Sequence, residues 1–309
     1  MGQAAELTHD AFLYGSDEEF VSTMTPLLQD GLEQGHAAIA AVTRHNIGLL
    51  RESLGRQRDL VTFIDRDDWY RRPATTVAGW ERLLAQALAR GHSHVHIIGE
   101  VAFGERHTTW TRYEAALNDV FAGSPAWITC PYDMRALPHS VIADAGRTHP
   151  VVLGRQRSPS HSYQRPEELL RAMSEPMPPV IGEPVVAAEL TSAASVAAAR
   201  GLLRNLAVRQ GFPAERVEEA VMVVSEIAGN SLRHGAGERW LRVWVTGGSV
   251  VCEVTDEGDG VDDLLVSYRP PSPTADGSRG LWLANQLSDA LAIAREADIT
   301  RVRFVIHPQ

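Results

Sequence analysis

The sequence predicts two successive domains of the α/β class that differ in architecture. Before residue 155, apolar strand-like segments alternate with helical segments of roughly ten residues or more, which is typical of a parallel sheet covered on both faces. After residue 185, helical segments and hairpins suit an α+β sandwich with helices on one face of a largely antiparallel sheet. The predicted boundaries are a first domain at 1–154, a linker at 155–185 and a second domain at 186–309.

In the first domain, strands are predicted at 37–42, 61–64, 94–98 and 126–133, with helices around 47–50, at 77–89 and at 110–121. Ligands of open parallel sheets bind beyond the carboxyl ends of the strands. Asp65, Gly99 with Glu100, and Tyr132 with Asp133 occupy such positions. Acidic residues at strand ends also cap turns, so a purely structural role is the alternative.

The linker is indicated by its composition. Residues 155–162 are polar, and the dense prolines of 176–184 exclude a regular helix. Between them, Pro166 opens one short predicted helix that continues to Met173.

The second domain begins with helices predicted at 192–210 and 214–233. A hairpin follows, with strands at 240–246 and 249–255 that turn at Gly247-Gly248. A third helix starts at Leu281, and strands at 291–295 and 300–307 form the last hairpin.

Composition restricts the functional class. With 309 residues the chain is long enough for two cores, and its net charge of −10 argues against a general nucleic-acid binder. Its two cysteines, Cys130 and Cys252, lie in different predicted domains, as expected for free thiols in a reducing cytoplasm. No signal peptide and no membrane span are visible, so we expect a cytoplasmic protein with no direct nucleic-acid or membrane partner.

Glu226 and Asn230 are four residues apart on a predicted helix and therefore share one face. An amide oxygen can ligate Mg²⁺, and a carboxylate can deprotonate an attacking hydroxyl. Considered alone, two polar residues on a solvated helix face are the more common interpretation.

Two glycine-containing motifs follow this helix. Asp256-Glu257-Gly258-Asp259-Gly260 comes after an apolar strand, where the carboxylate of Asp256 can accept a hydrogen bond from an adenine amino group. The segment 276–283 places glycines before a helix, whose N-terminus favours phosphate. An acidic surface turn and a flexible loop are the alternatives. Residues 268–274, between the two motifs, read as a lid.

The three motifs occur in order within one domain, and this joint occurrence favours a nucleotide pocket. Residues 186–307 resemble the anti-sigma-factor serine/threonine kinase branch of the GHKL (Bergerat) ATPases. The resemblance implies ATP and Mg²⁺ as cofactors, with Glu226 as the catalytic base and Asn230 as the Mg²⁺ ligand. It also implies that nucleotide contacts come from His234, Asp256, Gly258, Gly260, Gly277, Arg279 and Gly280.

This chain departs from the family pattern at two places. Ala228-Gly229 precedes Asn230, and a glycine inside a helix costs about 1 kcal/mol relative to alanine. The second glycine motif is reduced to Gly277-Ser278-Arg279-Gly280. Neither departure removes a side chain that is expected to contact the ligand.

The first domain resembles the MEDS domain, a sensory module of methanogens and methylotrophs. The resemblance rests on His9 with Tyr14, residues 31–35, 98–100 and 110–114, Cys130-Pro131-Tyr132-Asp133, and His149-Pro150. It implies a RecA-like, Rossmann-like three-layer fold that senses small organic compounds. By their position just past strands, Glu100, Tyr132 and Asp133 are the candidates for the sensory site. No Gly-x-x-x-x-Gly-Lys-Ser/Thr phosphate loop is present, which argues against a second ATPase.

Histidines and a cysteine in this domain allow further chemistry. His92, His94 and His96 alternate and would face one side of a strand, so a metal site is conceivable, although burial without a ligand role is the more common outcome. Cys130 is interpreted as a buried small residue rather than as a nucleophile.

These features predict a signal transducer in which a small effector of the first domain controls Mg·ATP chemistry in the second. The expected partners are an antagonist protein phosphorylated on serine or threonine, or a sigma factor, with regulated transcription as the outcome and a homodimer as the assembly suggested by resemblance. The alternatives are a module that binds nucleotide without transferring phosphate, and a histidine kinase. The histidine kinase ranks lowest because His161 is the only histidine of the linker, and 155–185 is too short for two long helices.

Overall fold

The computed structural model describes residues 6–154, 156–270 and 278–308. The described chain divides into two compact units, with the boundary between Met173 and Ser174. The first unit contains a mainly parallel sheet and the second an antiparallel sheet, which confirms the predicted fold class. Among the described residues, no helix combines the length and the apolar character that crossing a membrane requires.

Most strands of the sheet in the first unit run parallel to one another. Its strands are β1 (Thr8–Tyr14), β2 (Ala37–Val42), β3 (Val61–Asp65), β4 (Val95–Gly99), β5 (Ala126–Asp133), β6 (Val151–Leu153) and β7 (Arg157–Pro159). They pair in the order β3-β2-β4-β5-β1-β6-β7, and only β6 with β7 is antiparallel. The carboxyl ends of β1, β2, β4 and β5 therefore share one edge of the sheet.

Helices cover both faces of this sheet. They are α1 (Asp17–Glu33), α2 (Arg44–Leu54), α3 (Arg66–Trp69), α4 (Pro73–Ala89), α5 (His107–Val120), α6 (His139–Thr148) and α7 (Pro166–Ala172). Phe12 and Tyr14 of β1 pack in the core cluster that includes residues of α1 and α2. His9, three residues before Phe12 and so on the opposite face of the strand, contacts Glu114 of α5.

The segment predicted as a linker is structured in both units. Residues 157–159 form β7 of the first sheet, and 166–172 form α7. Arg112, a buried residue of α5, donates through Nη1 to the backbone oxygens of Leu170 (2.8 Å) and Met173, at the end of α7. In the second unit, the oxygen of Pro178 accepts from Arg303 (2.6 Å) and that of Gly182 from Trp244 (3.1 Å).

The second unit has its helices on one face of an antiparallel sheet. Its elements are β8 (Val186–Glu189), α8 (Ala193–Arg209), α9 (Ala214–His234), β9 (Trp240–Thr246), β10 (Ser249–Asp256), α10 (Ser278–Leu287), β11 (Ala290–Glu296) and β12 (Ile299–Ile306). The strand order is β11-β12-β10-β9-β8. Ile227 of α9 belongs to the apolar cluster that also contains Leu241, Cys252 and Phe304 of the sheet.

Two helical glycines of the first unit give a matched test of this packing. A Cβ atom at Gly31, in α1, would lie 2.9 Å from Nδ1 and 3.0 Å from Cγ of the buried His96 ring. A Cβ at Gly48, in α2, would meet no atom within 4 Å. An alanine would therefore be overpacked at position 31, whereas at position 48 its Cβ would meet no neighbouring atom.

We expect Gly31→Ala to reduce the free energy of unfolding by about 1–3 kcal/mol, because the ring has to move within a packed core. Gly48→Ala should increase it by about 0.5–1 kcal/mol through helix propensity alone. Urea denaturation of the full chain, followed by circular dichroism, measures both. Equal shifts of the two unfolding midpoints would contradict the packing of α1 against His96.

Candidate functional site

A cavity in the second unit lies between helix α9 and the sheet. Its volume is about 300 Å³. The apolar part of its wall comes from Ile227, Val254, Val261, Leu281 and Val302, and the polar part from Asn230, Ser231, His234, Asp256 and Thr300. An apolar slot with a few polar groups at fixed places is the usual form of a small-molecule site.

Asp256 is the one carboxylate among the described residues that line this cavity. It is the last residue of β10, it is 8% exposed, and both of its carboxylate oxygens are held. Oδ2 accepts from the hydroxyl of Ser231 (2.8 Å), and Oδ1 accepts from the backbone N–H of Gly258 (2.9 Å). Each oxygen has a second lone pair, so the carboxylate can still accept a hydrogen bond from a ligand.

The glycine turn after Asp256 is fixed by close contacts. A Cβ at Gly258 would lie 2.8 Å from Oδ1 of Asp256 and 3.0 Å from the Cα of Gly235. The backbone oxygen of Gly258 accepts from the hydroxyl of Thr300 (3.0 Å), which joins the turn to β12. Gly260 has a φ of +86°, a conformation that favours glycine.

Glu226 and Asn230 stand together against the start of α10, and Asn230 also lines the cavity. A Cβ at Gly280 would lie 2.7 Å from Oε2 of Glu226, 3.1 Å from Nδ2 of Asn230 and 3.4 Å from its Oδ1. A side chain at this position would have to displace the carboxylate of Glu226 and crowd the amide of Asn230. This contact brings Asn230 and Gly280, which are 50 positions apart in the chain, into one site.

Arg233 lies beside Asn230 and was not singled out from the sequence. Its Nη2 donates to Oδ1 of Asn230 (2.6 Å), and a Cβ at Gly229 would lie 3.2 Å from its Nη1. Helix α9 continues through Gly229 to His234. The absent side chain at Gly229 therefore leaves the space in which the guanidinium lies.

The remaining sequence-derived candidates of this domain are placed as follows. His234 lines the cavity at the end of α9 and is exposed. Arg279 is exposed in the first turn of α10. Gly277 lies outside the described residues, as do residues 271–274 of the predicted lid.

In the first unit, Glu100 follows β4 and is 4% exposed. Its Oε2 accepts from Asn46 (2.8 Å) and from the backbone N–H of Thr43 (3.0 Å). Its Oε1 accepts from Arg66 (2.9 Å) and, more weakly, from the Tyr14 hydroxyl (3.5 Å). Burial, and next the charge of Glu100, raise the pKa of the Tyr14 hydroxyl. Sequence reasoning missed Asn46 and Arg66, which reach Glu100 only through the fold.

Tyr132 and Asp133 end β5 with different surroundings. Tyr132 is 1% exposed, and its ring makes an edge contact with that of His149, 5.7 Å between centroids. Asp133 pairs with Arg135 (2.8 Å), whose hydrogen bond is the main cause of its lowered pKa. Tyr14 is the neighbour of Asp133 in the β1–β5 register and also contacts Glu100, so it connects these two candidates.

Of the three alternating histidines, only His96 belongs to β4, which begins at Val95, and only His94 and His96 join a ring cluster. His36, His94 and His96 have ring centroids 5.0–5.5 Å apart. Burial, and then His94 and His36, lower the pKa of His96 to about 4, so it is neutral at pH 7. His92 instead contacts the backbone oxygen of Gly35 (2.8 Å). A cavity of about 520 Å³ lies beside His36 and His92, where β2 begins.

The comparisons with known proteins agree with the division into two kinds of domain. Residues 8–150 match the model of the family described as MEDS, the MEthanogen/methylotroph, DcmR Sensory domain. Residues 190–306 match the model of the histidine kinase-like ATPase domain. No curated protein matches the chain.

Among solved structures, the RsbU and RsbW domains of Rv1364c from Mycobacterium tuberculosis are similar to part of this chain. The similarity covers 46% of this chain and 39% of that one, with 19% sequence identity and a TM-score of 0.31. The two family matches identify the two domains of the chain. It combines a sensory domain of the MEDS family at residues 8–150 with a histidine kinase-like ATPase domain at residues 190–306.

Proposed function

We propose that this protein is a cytoplasmic regulator in which an effector bound by the sensory domain controls a serine/threonine kinase of the anti-sigma-factor type. In this proposal, residues 1–154 sense the effector, 186–309 bind Mg·ATP, and 155–185 connect them. The substrate is a serine or threonine of an antagonist protein, and the outcome is a change in sigma-factor availability and thus in transcription. A homodimer is the proposed assembly. The main support is the convergence of Glu226, Asn230 and Gly280 beside a cavity lined by Asp256.

The cavity suits the adenine end of ATP. A purine is a flat apolar ring with polar edges, and the five aliphatic residues of the wall can contact its faces. The free lone pairs of Asp256 would accept the exocyclic amino group. Because Ser231 and Gly258 already hold this carboxylate in place, it is preorganised for that hydrogen bond.

The region where Asn230 meets the start of α10 suits phosphate and Mg²⁺. Oδ1 of Asn230 is an oxygen donor of the kind that Mg²⁺ prefers, and it now accepts from Arg233. If the ion takes this oxygen, the guanidinium is released toward the phosphates, where it adds positive charge. Backbone N–H groups of the first turn of α10, next to Gly280, would face the same anions.

The carboxylate of Glu226 is the proposed base. It lies one helical turn before Asn230 and beside the start of α10, which places it next to the proposed phosphate position. There it can accept the proton of a substrate hydroxyl as the phosphoryl group is transferred. Mg²⁺ supplies charge neutralisation at the phosphates when it is bound, and the protein supplies positioning.

The effector site is proposed at the edge formed by Glu100, Tyr132 and Asp133. Of these, Asp133 is the most accessible, with a side chain that is 20% exposed. Glu100 and Tyr132 are buried beneath it, so an effector that contacts them would have to change their present contacts.

The structure disfavours the histidine-kinase alternative. Such an enzyme needs a helical hairpin that carries the accepting histidine. The only helix in the described residues 156–185 is α7, seven residues long, and His161 lies in a turn before it. The module that binds nucleotide without phosphoryl transfer remains the alternative for experiment to separate.

Asp256→Asn should weaken ATP binding by about 10- to 100-fold, since a hydrogen bond to a charged group contributes about 1.5–3 kcal/mol. Asp259→Asn is the matched control, because this acid is in the same turn but its side chain is fully exposed. Isothermal titration of each purified variant with Mg·ATP measures the difference. Comparable losses in both variants would exclude Asp256 as the adenine contact.

Glu226→Gln should abolish phosphoryl transfer and leave ATP affinity nearly unchanged. Glu218→Gln, on the exposed side of the same helix and paired with Arg204 (2.8 Å), should keep full activity. Each variant is incubated with labelled ATP, Mg²⁺ and an extract of the cells that produce the protein. Labelled protein is then tested for stability to acid and alkali.

The expected result is an acid-stable, alkali-labile phosphoprotein that depends on Glu226. An acid-labile product would instead indicate a phosphohistidine. ATP binding without any labelled protein would favour the non-catalytic module, and undiminished labelling by Glu226→Gln would reject this residue as the base.

A further inference from the structure

Four potential metal ligands converge inside the first unit, next to Tyr132 of the candidate sensory edge, whose ring contacts that of His149. They are His9 of β1, Glu114 of α5, Cys130 of β5 and His149, which directly follows α6. Their ligand atoms all lie within 4.8 Å of one another, and none of the four residues is more than 3% exposed. Such a set is unlike an acidic surface patch, because it combines nitrogen, oxygen and sulfur donors in a water-poor interior.

The distances around Glu114 are short. Its Oε2 lies 3.2 Å from Nε2 of His9, 3.3 Å from Nε2 of His149 and 3.4 Å from Sγ of Cys130. Sγ of Cys130 is also 3.4 Å from Nε2 of His9. Ligands of a tetrahedral Zn²⁺ at about 2.0–2.3 Å are separated from one another by about 3.3–3.8 Å. Four of the six separations therefore match the spacing that a tetrahedral ion imposes, and the other two are at most 4.8 Å.

The hydrogen bonds of the two Nδ1 atoms determine the tautomers of His9 and His149, and so decide whether the Nε2 atoms that face Glu114 carry protons. Nδ1 of His149 lies 2.9 Å from the backbone oxygen of Ala145 and 2.9 Å from the Thr148 hydroxyl, which itself donates to the backbone oxygen of Asp144 (3.0 Å). The Ala145 oxygen can only accept, so Nδ1 carries a proton. In the neutral ring, Nε2 then presents a lone pair toward Glu114, and this nitrogen has no hydrogen-bond partner in the described structure.

His9 is held in the same tautomer by a side-chain amide. The amino group of Asn118 donates to the backbone oxygens of Thr148 (2.7 Å) and Ala115 (3.3 Å). This fixes Oδ1 of Asn118 as the acceptor for Nδ1 of His9, at 3.1 Å. Nε2 of His9 is thus left unprotonated in the neutral ring. Metal-binding histidines are commonly oriented in this way by an amide or carbonyl acceptor on the other nitrogen.

Lone pairs of two imidazoles and a carboxylate consequently point at one another in a buried space. Oε1 of Glu114 is also buried without a hydrogen-bond partner. Facing acceptors repel unless a cation or proton lies between them. A divalent ion with the Cys130 thiolate, the Glu114 carboxylate and two neutral imidazoles has no net charge, which suits a buried site.

We propose that His9, Glu114, Cys130 and His149 bind one Zn²⁺ ion in a closed tetrahedral site that joins β1, α5, β5 and the end of α6. Mixed imidazole, thiolate and carboxylate donors favour Zn²⁺ over Mg²⁺ or Ca²⁺, which take oxygen ligands. Four protein ligands leave no open position, so the site is structural rather than hydrolytic. Its burial means that the ion enters during folding and exchanges slowly afterwards.

Metal analysis and X-ray absorption of the purified full chain test this directly, without a variant. The chain is produced in zinc-supplemented medium without an affinity tag that binds metal. We expect one zinc per chain, with a sulfur neighbour at about 2.3 Å and nitrogen or oxygen neighbours at about 2.0–2.2 Å. A folded chain with far less than one equivalent of zinc, or zinc without a sulfur neighbour, would overturn the proposal.

Cysteine variants locate the ion. Protein produced with cobalt should show thiolate-to-cobalt charge-transfer absorption together with the visible bands of a tetrahedral ion. Cys130→Ser should lose the charge-transfer absorption, whereas Cys252→Ser should keep it, because Cys252 is a buried thiol of the apolar core in the second unit. If Cys130→Ser does not fold, the measurements on the unmodified chain still decide. Charge-transfer absorption that survives in folded Cys130→Ser would disprove the assigned sulfur ligand.

Discussion

The most consequential constraint in this molecule is that a carboxylate removed from water needs donors or cations around it. Isolated buried charge is costly, so each such group must collect partners from distant parts of the chain. Glu253, 2% exposed on the sheet of the second unit, is paired with Arg301 (3.0 Å) and Arg303. Asp10, fully buried in β1, is paired with Arg157 of β7. These pairs are complete and can be understood as structure alone.

The carboxylates proposed for function differ from these pairs in how they are satisfied. Asp256 is held by two neutral donors, Ser231 and Gly258, and faces a cavity, so capacity for a ligand remains. Glu114 faces two histidines whose Nδ1 atoms already donate elsewhere. Glu100, the buried carboxylate of the proposed effector site, has donors on both oxygens, including the cation of Arg66, so an effector would have to replace one of them. The same constraint thus separates closed networks from sites with unused acceptors.

Much of the fold could be predicted from periodicity because long elements bury a regular stripe. The strands at 37–42 and 126–133 were predicted at their observed limits, and the helix at 214–233 ends one residue later, at His234. The three-residue strands β6 and β7 gave no signal, since pairs that short exist only through contact with β1 and each other. Strand β1 was missed because Thr8, His9 and Asp10 interrupt its apolar pattern, and two of these three are buried polar groups with specific partners.

In the candidate sites, too, the sequence predicts the relations between residues of one helix but not the contacts between separate elements. That Glu226 and Asn230 share one face of a helix could be predicted from the sequence, because four residues make about one turn. The close approach of Gly280 to these two residues could not be predicted from the sequence, since it depends on how α10 packs against α9. The zinc candidates come from four separate elements. From the sequence, Cys130 is interpreted as a buried small residue, because the three residues that surround its sulfur in space are distant from it in the chain.

Gly229 connects the stability of the second unit with its proposed chemistry. Considered from the sequence, it costs helix stability of about 1 kcal/mol relative to alanine. In the structure it gives Arg233 room to lie across the helix and donate to Asn230. Without a metal, that contact neutralises the dipole of an amide oxygen aimed at the cavity. With Mg²⁺ there, the arginine would be free to turn to the phosphates. In the proposed function, a small loss of helix stability at Gly229 would thus be traded for an arginine that can change partners when Mg·ATP binds.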